Sequence, residues 1–232
     1  TVLNRDDSIT DSFRKDVRGQ SLGFSMERQL NNGAWLADDG MLHMAYRGMD
    51  VPILHRDEIK IIGDHNVANY LAAITAVWGY VGVDAIKKVA REFGGVEHRI
   101  EFVRNVNGVK YYNDSIASSP SRTIAGLRSF PEKVILIAGG YDKHIPYDVM
   151  GPEVCAHVKK LFLGGATGPL IRAAVENAPE YQPGCPEITD CGNFEAAVRA
   201  AAAAAEPGDV VLMSPASAAF DQFKNFMVRG EF

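Results

Sequence analysis

The sequence has few cysteines, no long apolar run and no leader-like start. Its 232 residues include three cysteines, an odd number that favours free thiols in a reducing compartment, and Cys185 and Cys191 lack the C-x-x-C spacing of a metal site. No apolar run reaches the roughly 18 residues of a membrane-spanning helix. The opening residues, TVLNRDD, have neither the basic nor the apolar region of a signal peptide. We therefore expect a cytoplasmic protein with no membrane partner.

Positive charge and glycine-rich phosphate loops are scarce as well. The formal net charge is −5, whereas nucleic-acid binding needs a clustered basic face, so we expect no nucleic-acid partner. Neither the G-x-G-x-x-G dinucleotide fingerprint nor the G-x-x-x-x-G-K-(S/T) phosphate loop occurs in the chain. The chain therefore carries neither of the usual glycine-rich phosphate-binding loops.

The residues that are present have an ordinary globular composition arranged in two patterns. Apolar residues make up 47% of the chain and charged residues 23%, so each half can bury a core of its own. Near Gly94–His98, two glycines end a helix and the apolar period changes from helical to alternating. We place a domain boundary there, with one domain over residues 1–96 and a second over residues 97–232.

The first domain is predicted to contain a short strand, a helix, a β-meander and two further helices. Asn-Asn-Gly and Asp-Asp-Gly separate the strand-like runs between residues 22 and 48 and are hairpin turn signals. A short helix is predicted over residues 6–17 and a long one over residues 65–79. The apolar residues at helical spacing in these two helices are Ile9, Phe13 and Val17, and Val67, Leu71, Ile74 and Trp78.

The second domain alternates strands with helices and is predicted to be an α/β fold. Continuous apolar strands such as Val134–Ala138 are buried on both faces, which indicates a Rossmann-like, mostly parallel sheet with flanking helices. The predicted helices cover residues 119–129, 148–158, 167–177, 193–205 and 218–229. Sheets of this kind bind ligands at the carboxyl ends of their strands, where this sequence places Asn113-Asp114-Ser115, Gly139-Gly140, Gly164-Gly165 and Ser214-Pro215.

Two asparagines at the start of the long helix are candidate nucleotide-binding residues. Asn66 and Asn69 are three residues apart, so both amides lie on one face of the first turn, and an amide offers the donor and acceptor that an adenine edge requires. The alternative is that Asp64 or Asn66 only caps the helix. On this stretch alone, capping is the favoured interpretation.

The stretch Asn113–Pro120 is the most suggestive strand end. Asp114 can accept hydrogen bonds from ribose hydroxyls, and Ser115, Ser118 and Ser119 can donate to a phosphate or carboxylate. The alternative is an Asx turn followed by a helix with Pro120 at its first position. Arg99, at the domain junction, suits either stacking on a base or an inter-domain salt bridge.

Two further strand ends carry candidate residues. Gly139 and Gly140 let backbone approach a ligand, and Lys143 just beyond them is a point charge for an anion. In the last segment, Phe220 and Phe223 are predicted to be core residues, whereas Phe226 either lines a pocket or belongs to the core.

In order and spacing, these motifs resemble those of the Mur ligase family, and within it the branch that adds D-glutamate. The stretches that carry the resemblance are HNVANYLAA, FGGVEHRIEFV, GVKYYNDSIASSPSRT, IAGGYDK and SPASAAFDQFKNFMVRG. They span nearly the whole chain. The resemblance implies the latter part of a central ATPase domain followed by a C-terminal acceptor domain, in a fragment of a longer, monomeric enzyme.

The activity that the resemblance implies is ATP-driven amide synthesis through an acyl phosphate, with UDP-N-acetylmuramoyl-L-alanine and D-glutamate as substrates. Asn66, Asn69, Arg99 and Asp114 would bind the nucleotide, with Asn66 and Asn69 on its adenine side. Ser118, Lys143 and Phe226 would bind D-glutamate, and Lys143, the one expected catalytic residue here, would neutralise a substrate carboxylate. ATP and Mg²⁺ are the implied cofactors, but the metal ligands and the phosphate loop are expected outside this chain. Residues 1–232 alone are therefore expected not to hydrolyse ATP.

Two positions depart from the family pattern. Many relatives have a lysine where this chain has Ile116 and a serine where it has Ala219, which puts acceptor recognition in question; Ser217 or Ser119 could compensate. The alternatives are a sister ligase, such as another Mur ligase or a folylpolyglutamate synthase, and a non-catalytic α/β module that binds a nucleotide or a partner protein.

Overall fold

Each half of the chain builds its own β-sheet. The computed structural model describes residues 1–232, which separate into two units, Thr1–Gly94 and Gly95–Phe232. The boundary predicted from the sequence lies after residue 96.

The first unit is a five-stranded mixed sheet with the order β1-β2-β3-β4-β5. Its strands are β1 (Val2–Asn4), β2 (Leu22–Ser25), β3 (Gly33–Leu36), β4 (Met41–Tyr46) and β5 (Met49–His55). Its helices are α1 (Ser8–Ser12), α2 (Asp64–Val77) and α3 (Val83–Glu92). β1, β2 and β3 run parallel, whereas β3, β4 and β5 are antiparallel.

One of the two predicted hairpins of this sheet is wrong. The Asp-Asp-Gly turn does join antiparallel strands β3 and β4, but β2 and β3, on either side of Asn-Asn-Gly, pair in parallel. Gly33 serves a different purpose, because a Cβ there would lie 1.9 Å from the carbonyl oxygen of Gly23. The glycine therefore permits a close approach between neighbouring strands, at a φ of +140°.

Helix α2 supplies much of the core of this unit. Val67, Leu71 and Ile74 are buried against β3, β4 and β5 residues, as the apolar stripe predicts. The short N-terminal helix differs from its prediction, since Ile9 and Phe13 are 68% and 53% exposed. Helical spacing at a chain end indicates a helix but does not provide a surface on which to bury it.

The second unit is a six-stranded sheet with the order β10-β9-β8-β11-β7-β6. Its strands are β6 (Glu101–Val106), β7 (Val109–Asn113), β8 (Val134–Ala138), β9 (Val158–Gly164), β10 (Glu187–Gly192) and β11 (Val210–Met213). All neighbours pair in parallel except β6 and β7. The predicted Rossmann-like, mostly parallel sheet is therefore confirmed.

Helices cover this sheet, and its central strand β8 is fully buried. The helices are α4 (Pro120–Leu127), α5 (Met150–His157), α6 (Gly168–Glu176), α7 (Phe194–Ala204) and α8 (Phe226–Glu231). Every residue of β8 is buried, with Ile135 and Ile137 packed towards Phe194 and Ala197 of α7. No helix of either unit is long and apolar enough to cross a membrane.

The helix predicted over residues 218–229 begins only at Phe226. Before it lies a single turn, in which the N–H of Phe223 donates to the carbonyl of Ala219 at 2.8 Å, while the carbonyl of Ala218 accepts from the backbone N–H of Tyr141 at 2.9 Å. Asn225 then caps α8 by accepting from the N–H of Val228 at 2.9 Å. The segment between β11 and α8 is thus a loop that contains one hydrogen-bonded turn.

This correction changes the environment of the aromatic residues of the segment. Phe220, predicted to be core, is 64% exposed and stacks edge-on against Tyr141, with ring centroids 6.0 Å apart. Phe223 is half-buried and packs against Phe194 at 5.3 Å. Outside a helix, the three- to four-residue spacing of these rings no longer places them on one face.

Candidate functional site

The carboxyl ends of the parallel strands in the second unit form one continuous, hydrogen-bonded edge. The N–H of Asp114, after β7, donates to the carbonyl of Met213 on β11 at 2.8 Å, and the N–H of Gly139, after β8, donates to Pro215 at 2.9 Å. The N–H of Thr167, after β9, donates to Gly140 at 3.0 Å. The loops that the sequence singles out are therefore neighbours at the edge where such sheets bind ligands.

Asp114 lies under this edge and not on its surface. It is 3% exposed, and its carboxylate accepts from the hydroxyl of Ser214 at 2.7 Å and from the N–H of Ile100 at 3.2 Å. Burial raises the pKa of Asp114 to about 6, although these hydrogen bonds and the nearby Arg99 act to lower it. The carboxylate therefore links the end of β7 to the end of β11 and to Ile100, just before β6.

The loop after Asp114 is a tight turn that leads directly into α4. The side chain of Asn113 accepts from the N–H of Ser115 at 3.1 Å, which is an Asx turn, and Pro120 occupies the first turn of α4. Ser118 is half-buried, and Ser119 precedes the helix without a side-chain capping bond. The turn was one of the two predicted interpretations. The hydroxyl of Ser118 makes no hydrogen bond within the chain, whereas that of Ser115 is buried and donates to the carbonyl of Phe226.

The glycine pair after β8 brings the backbones of two strand ends together. A Cβ on Gly139 would lie 1.9 Å from the carbonyl oxygen of Gly164, so only glycine fits at this crossing. Lys143 follows on an exposed loop and has no ion-pair partner. Its neighbour Asp142 is occupied locally, since it accepts from the N–H of His144 at 2.7 Å. Lys143 is thus an uncompensated cation beside the strand ends.

Ser217 is a fully buried junction. Its hydroxyl lies 2.9 Å from that of Tyr147 and 2.7 Å from that of Thr167. Both contacts are internal, so Ser217 is not positioned to replace the serine that many relatives have at position 219. Ser119 is more accessible, although its hydroxyl lies 3.3 Å from that of Ser121.

Phe226 packs against the junction residue His98. The two rings are edge-on with centroids 6.1 Å apart, and Phe226 is half-buried. The N–H of Ile116 donates to the carbonyl of His98 at 3.1 Å, so the segment that carries Arg99 lies against the Asp114 loop. Arg99 itself is exposed and has no ion-pair partner.

The structure thus gathers Arg99, Asp114, Ser118 and Phe226 around one corner of the second unit. The segment before Lys143 is linked to the loop that leads into α8, because the N–H of Tyr141 donates to the carbonyl of Ala218. Three buried residues hold this corner: Ser214, Ser217 and Arg229. The sequence analysis singled out Ser214 as part of a strand end and Ser217 as a candidate for acceptor binding, but it missed Arg229. A signal for Arg229 existed, since it is a cation in the otherwise largely apolar stretch FMVRG.

Asn66 and Asn69 lie in the first unit and are described within it. Asn66 donates from Nδ2 to the carbonyl of Ile62 at 2.7 Å, and Asn69 donates to the Oδ1 atom of Asn66 at 3.3 Å. The residue before α2 is Gly63, and no side chain caps the helix. Both amides therefore lie together on the first turn, as predicted from their spacing, and neither Asp64 nor Asn66 caps it.

No group of three or more His, Cys, Asp or Glu side chains in either unit is close enough to hold a metal ion. The three cysteines are free thiols.

Comparison with known proteins places this geometry in a family. Residues 98–217 match the family profile described as the glutamate ligase domain of Mur ligases, a match that covers more than half of the chain. The chain therefore belongs to the Mur ligase family.

Two curated relatives extend the match to both units. The chain is 51% identical over 231 residues to the UDP-N-acetylmuramoylalanine–D-glutamate ligase of Acetivibrio thermocellus, which covers 99% of this chain and 49% of that protein. It is 47% identical over 229 residues to the protein of the same name from Clostridium beijerinckii, with the same coverage of each chain. The chain thus spans about half the length of the curated relatives it matches.

Solved structures share the fold at much lower identity. The UDP-N-acetylmuramate-alanine ligase MurC of Thermotoga maritima superposes with a TM-score of 0.66 at 14% identity, covering 93% of this chain and 47% of that one. A folylpolyglutamate synthase of Mycobacterium tuberculosis superposes with a TM-score of 0.57 at 15% identity, covering 90% and 49%. At such identities the similarity concerns the fold alone.

Proposed function

We propose that this chain is the acceptor-binding half of an ATP-dependent ligase that adds D-glutamate to UDP-N-acetylmuramoyl-L-alanine. The observation that carries the proposal is the 51% identity to a ligase of that name, because it extends over 99% of the chain and so includes every strand-end loop described above. The low-identity structural neighbours do not discriminate between acceptors.

The proposed roles follow the chemistry of each side chain. Lys143 is an exposed cation without an ion-pair partner, so it can neutralise a carboxylate of D-glutamate without first breaking another ion pair. The hydroxyl of Ser118 donates to the same substrate, and the half-buried ring of Phe226 forms an apolar wall beside its methylene groups. Lys143 is the residue that we expect to have the largest effect on the reaction.

Nucleotide binding is proposed for four residues. Asn66 and Asn69 contact the adenine side of ATP through their adjacent amides, and Arg99 and Asp114 contact the base and the ribose. Because the carboxylate of Asp114 is already bonded to Ser214 and to the N–H of Ile100, at most its remaining lone pairs are available to a ribose hydroxyl. Its second role is to hold the ends of the strands in place.

ATP supplies the phosphoryl group that activates a substrate carboxylate, and Mg²⁺ neutralises the charge of its phosphates. The residues of this chain contribute positioning: they hold the amino group of D-glutamate near the activated carbon, which is the type of effect that dominates such transfers. The ligands of Mg²⁺ and the phosphate loop are proposed to lie outside these residues. The complete enzyme is also proposed to be a cytoplasmic monomer.

The test is a ligation assay with the complete product of the gene that encodes this chain. Release of phosphate from ATP, in the presence of UDP-N-acetylmuramoyl-L-alanine, is measured with D-glutamate, L-lysine, meso-diaminopimelate or no acceptor; a separate arm offers folate and L-glutamate. We expect release and a new amide only with D-glutamate. Activity with another acceptor instead indicates a sister ligase, and no ligation in any arm indicates a binding module; either result refutes the proposal.

A further inference from the structure

Arg229 is the most deeply buried charged side chain of the second unit. It lies on α8, three residues after Phe226, and is 2% exposed. Its guanidinium uses four hydrogen bonds, all to the loops at the carboxyl ends of the strands. Nε donates to the hydroxyl of Ser115 at 3.0 Å and Nη2 to the carbonyl of Ser115 at 2.8 Å, while Nη1 donates to the carbonyls of Ser217 and Ala218 at 3.0 and 3.1 Å.

None of these four acceptors carries a charge. A buried arginine is normally paired with a carboxylate, because removing an ion from water is costly. Here no carboxylate lies within salt-bridge distance of Arg229. Burial lowers its pKa to about 10, although the charge of Asp221 acts to raise it, so Arg229 remains a cation at neutral pH. The fold therefore buries a charge without a salt bridge where an apolar residue would cost less, which indicates a role beyond filling space.

The bonds of Arg229 reach two segments beside the proposed acceptor residues: the turn that leads to Ser118 and the loop before α8. Ser115 is three residues before Ser118, in the same tight turn. Ser217 and Ala218 contact the glycine pair that precedes Lys143: the N–H of Tyr141 donates to Ala218, and a Cβ on Gly140 would lie 3.2 Å from Nη1 of Arg229. The third element is α8 itself, one turn of which separates Arg229 from Phe226.

Ser115 closes the arrangement from the other side. Its hydroxyl donates to the carbonyl of Phe226 at 2.7 Å while it accepts from Nε of Arg229. The turn that leads to Ser118 is therefore fixed to α8 at two points, one on the helix backbone and one on the guanidinium.

We infer that Arg229 is a positioning residue for the acceptor site: it fixes the turn that leads to Ser118, and the loop before α8 that in turn holds the segment before Lys143, to the helix that carries Phe226. The inference rests on the proposed function. It assigns no contact between Arg229 and any substrate. The planar guanidinium suits this task because its donors point in fixed directions, whereas an ammonium offers one rotating centre.

The experiment compares R229K and R229Q with the wild type in the complete gene product. R229K keeps the charge but cannot reach four acceptors at once, and R229Q removes the charge while retaining a donor. We expect kcat/KM for D-glutamate to fall by about 10²-fold in both, since displacements of about 1 Å have effects of that size. We expect KM for ATP to change by less than about threefold, because no bond of Arg229 reaches Asn66, Asn69 or Arg99, and the side chain of Asp114 is held separately by Ser214 and Ile100.

The matched control is R199K. Arg199 lies on the exposed surface of α7, where it pairs with Glu195 one turn away, and its replacement should alter neither constant. A second variant, S115A, removes only the hydroxyl that bridges Arg229 and Phe226. It should fold normally and raise KM for D-glutamate by about tenfold, the effect of losing one to two hydrogen bonds, so the inference stays testable if the Arg229 variants do not fold.

Several results overturn the inference. One is an R229K enzyme with a wild-type KM for D-glutamate and wild-type turnover. Another is a loss of activity in which the constants for ATP and D-glutamate change equally, in step with a lower Tm, because this is what a purely structural role produces. If the Arg229 variants do not fold, an S115A enzyme with a wild-type KM for D-glutamate overturns the inference. A wild-type enzyme without D-glutamate-dependent ligation refutes the proposed function itself, and this outcome is visible before any variant is compared.

Discussion

The hydroxyl of Ser214 donates a 2.7 Å hydrogen bond to the carboxylate of Asp114, across 100 residues of sequence. The pair joins the ends of β7 and β11, and Thr123 adjoins it with its hydroxyl 3.0 Å from that of Ser214. The bond does not fully offset burial, which raises the pKa of Asp114 from 3.8 to about 6. The ionised form of this residue is therefore held in the fold at a cost in stability.

The sign of that cost leads to a prediction for D114N. The folded protein keeps the Asp114 proton up to about pH 6, whereas the unfolded chain loses it near pH 4. Stability from this group is therefore complete below pH 4 and is lost as pH rises through 6. Asparagine is uncharged at every pH and can accept from Ile100 while it donates to Ser214. We expect D114N to be more stable than the wild type at pH 7.5, by roughly 3 kcal/mol for a shift of two units, with the difference vanishing towards pH 4.

Urea unfolding of residues 1–232 at several pH values measures this difference. The matched control is D209N, which should behave in the opposite way. Although burial acts to raise the pKa of Asp209, hydrogen bonds from the N–H of Glu206 and from Lys159 lower it overall. D209N should thus be less stable than the wild type at neutral pH. A D114N protein that is no more stable at pH 7.5 than at pH 4.5, relative to the wild type, contradicts the assignment.

Lys143 should affect the reaction and not the fold. It is exposed and makes no ion pair, so K143M should leave the free energy of unfolding within about 0.5 kcal/mol of wild type. In the complete gene product we expect kcat/KM for D-glutamate to fall by about 10- to 100-fold, as for the loss of a charged hydrogen bond.

K143R tests whether positive charge is sufficient at position 143, and K110M is the control for the loss of an exposed lysine elsewhere. K143R should retain part of the activity, because it keeps the positive charge, and K110M, at an exposed position on β7, should be indistinguishable from wild type. Steady-state kinetics with varied D-glutamate make the comparison. If K143M ligates at the wild-type rate and with the wild-type KM, Lys143 is not the residue that neutralises the acceptor.

Residues 1–232 alone should not hydrolyse ATP. They contain no glycine-rich phosphate loop, and the loop and the metal ligands that hold the phosphates are proposed to lie outside these residues. Phosphate release should equal the protein-free blank, measured beside the complete gene product at equal concentration. Turnover by the 232 residues above that blank would show that the nucleotide site has been assigned to the wrong part of the protein.

The sheet of the second unit was predictable because its signals are local. A run of five apolar residues such as Val134–Ala138 has to be covered on both faces. Pro120 follows a turn, and proline is favoured at the first position of a helix. The strand ends also predicted which loops are neighbours. The positions of Asn66 and Asn69 on one helical face followed from spacing alone.

The features that were missed depend on distant partners. Nothing near Gly33 indicates that β2 and β3 run parallel, since that pairing depends on contact with the backbone of Gly23. The late start of α8 depends on carbonyls that bind Arg229 and Tyr141. Likewise, the sequence places Asp114 at a strand end but does not reveal that Ser214 closes over it.

The two asparagines of α2 should separate stability from nucleotide binding. Asn66 is anchored to the carbonyl of Ile62, whereas Asn69 is exposed and bonded only to Asn66. N66A should therefore lower the free energy of unfolding of residues 1–232 by about 1 kcal/mol, and N69A by less than about 0.5 kcal/mol. In the complete gene product, both should raise KM for ATP by about tenfold, because each amide is proposed to contact the adenine side. KM for D-glutamate should be unaffected.

Urea unfolding and steady-state kinetics with varied ATP make these measurements. N31A, at an exposed position in the same unit, is the control for loss of a surface amide and should change neither quantity. N69A is the decisive variant, because its stability effect is small and any rise in KM for ATP then reports on binding. If N69A leaves KM for ATP unchanged, while N66A changes it only as far as it destabilises the protein, the pair serves the first turn of α2 and not the nucleotide.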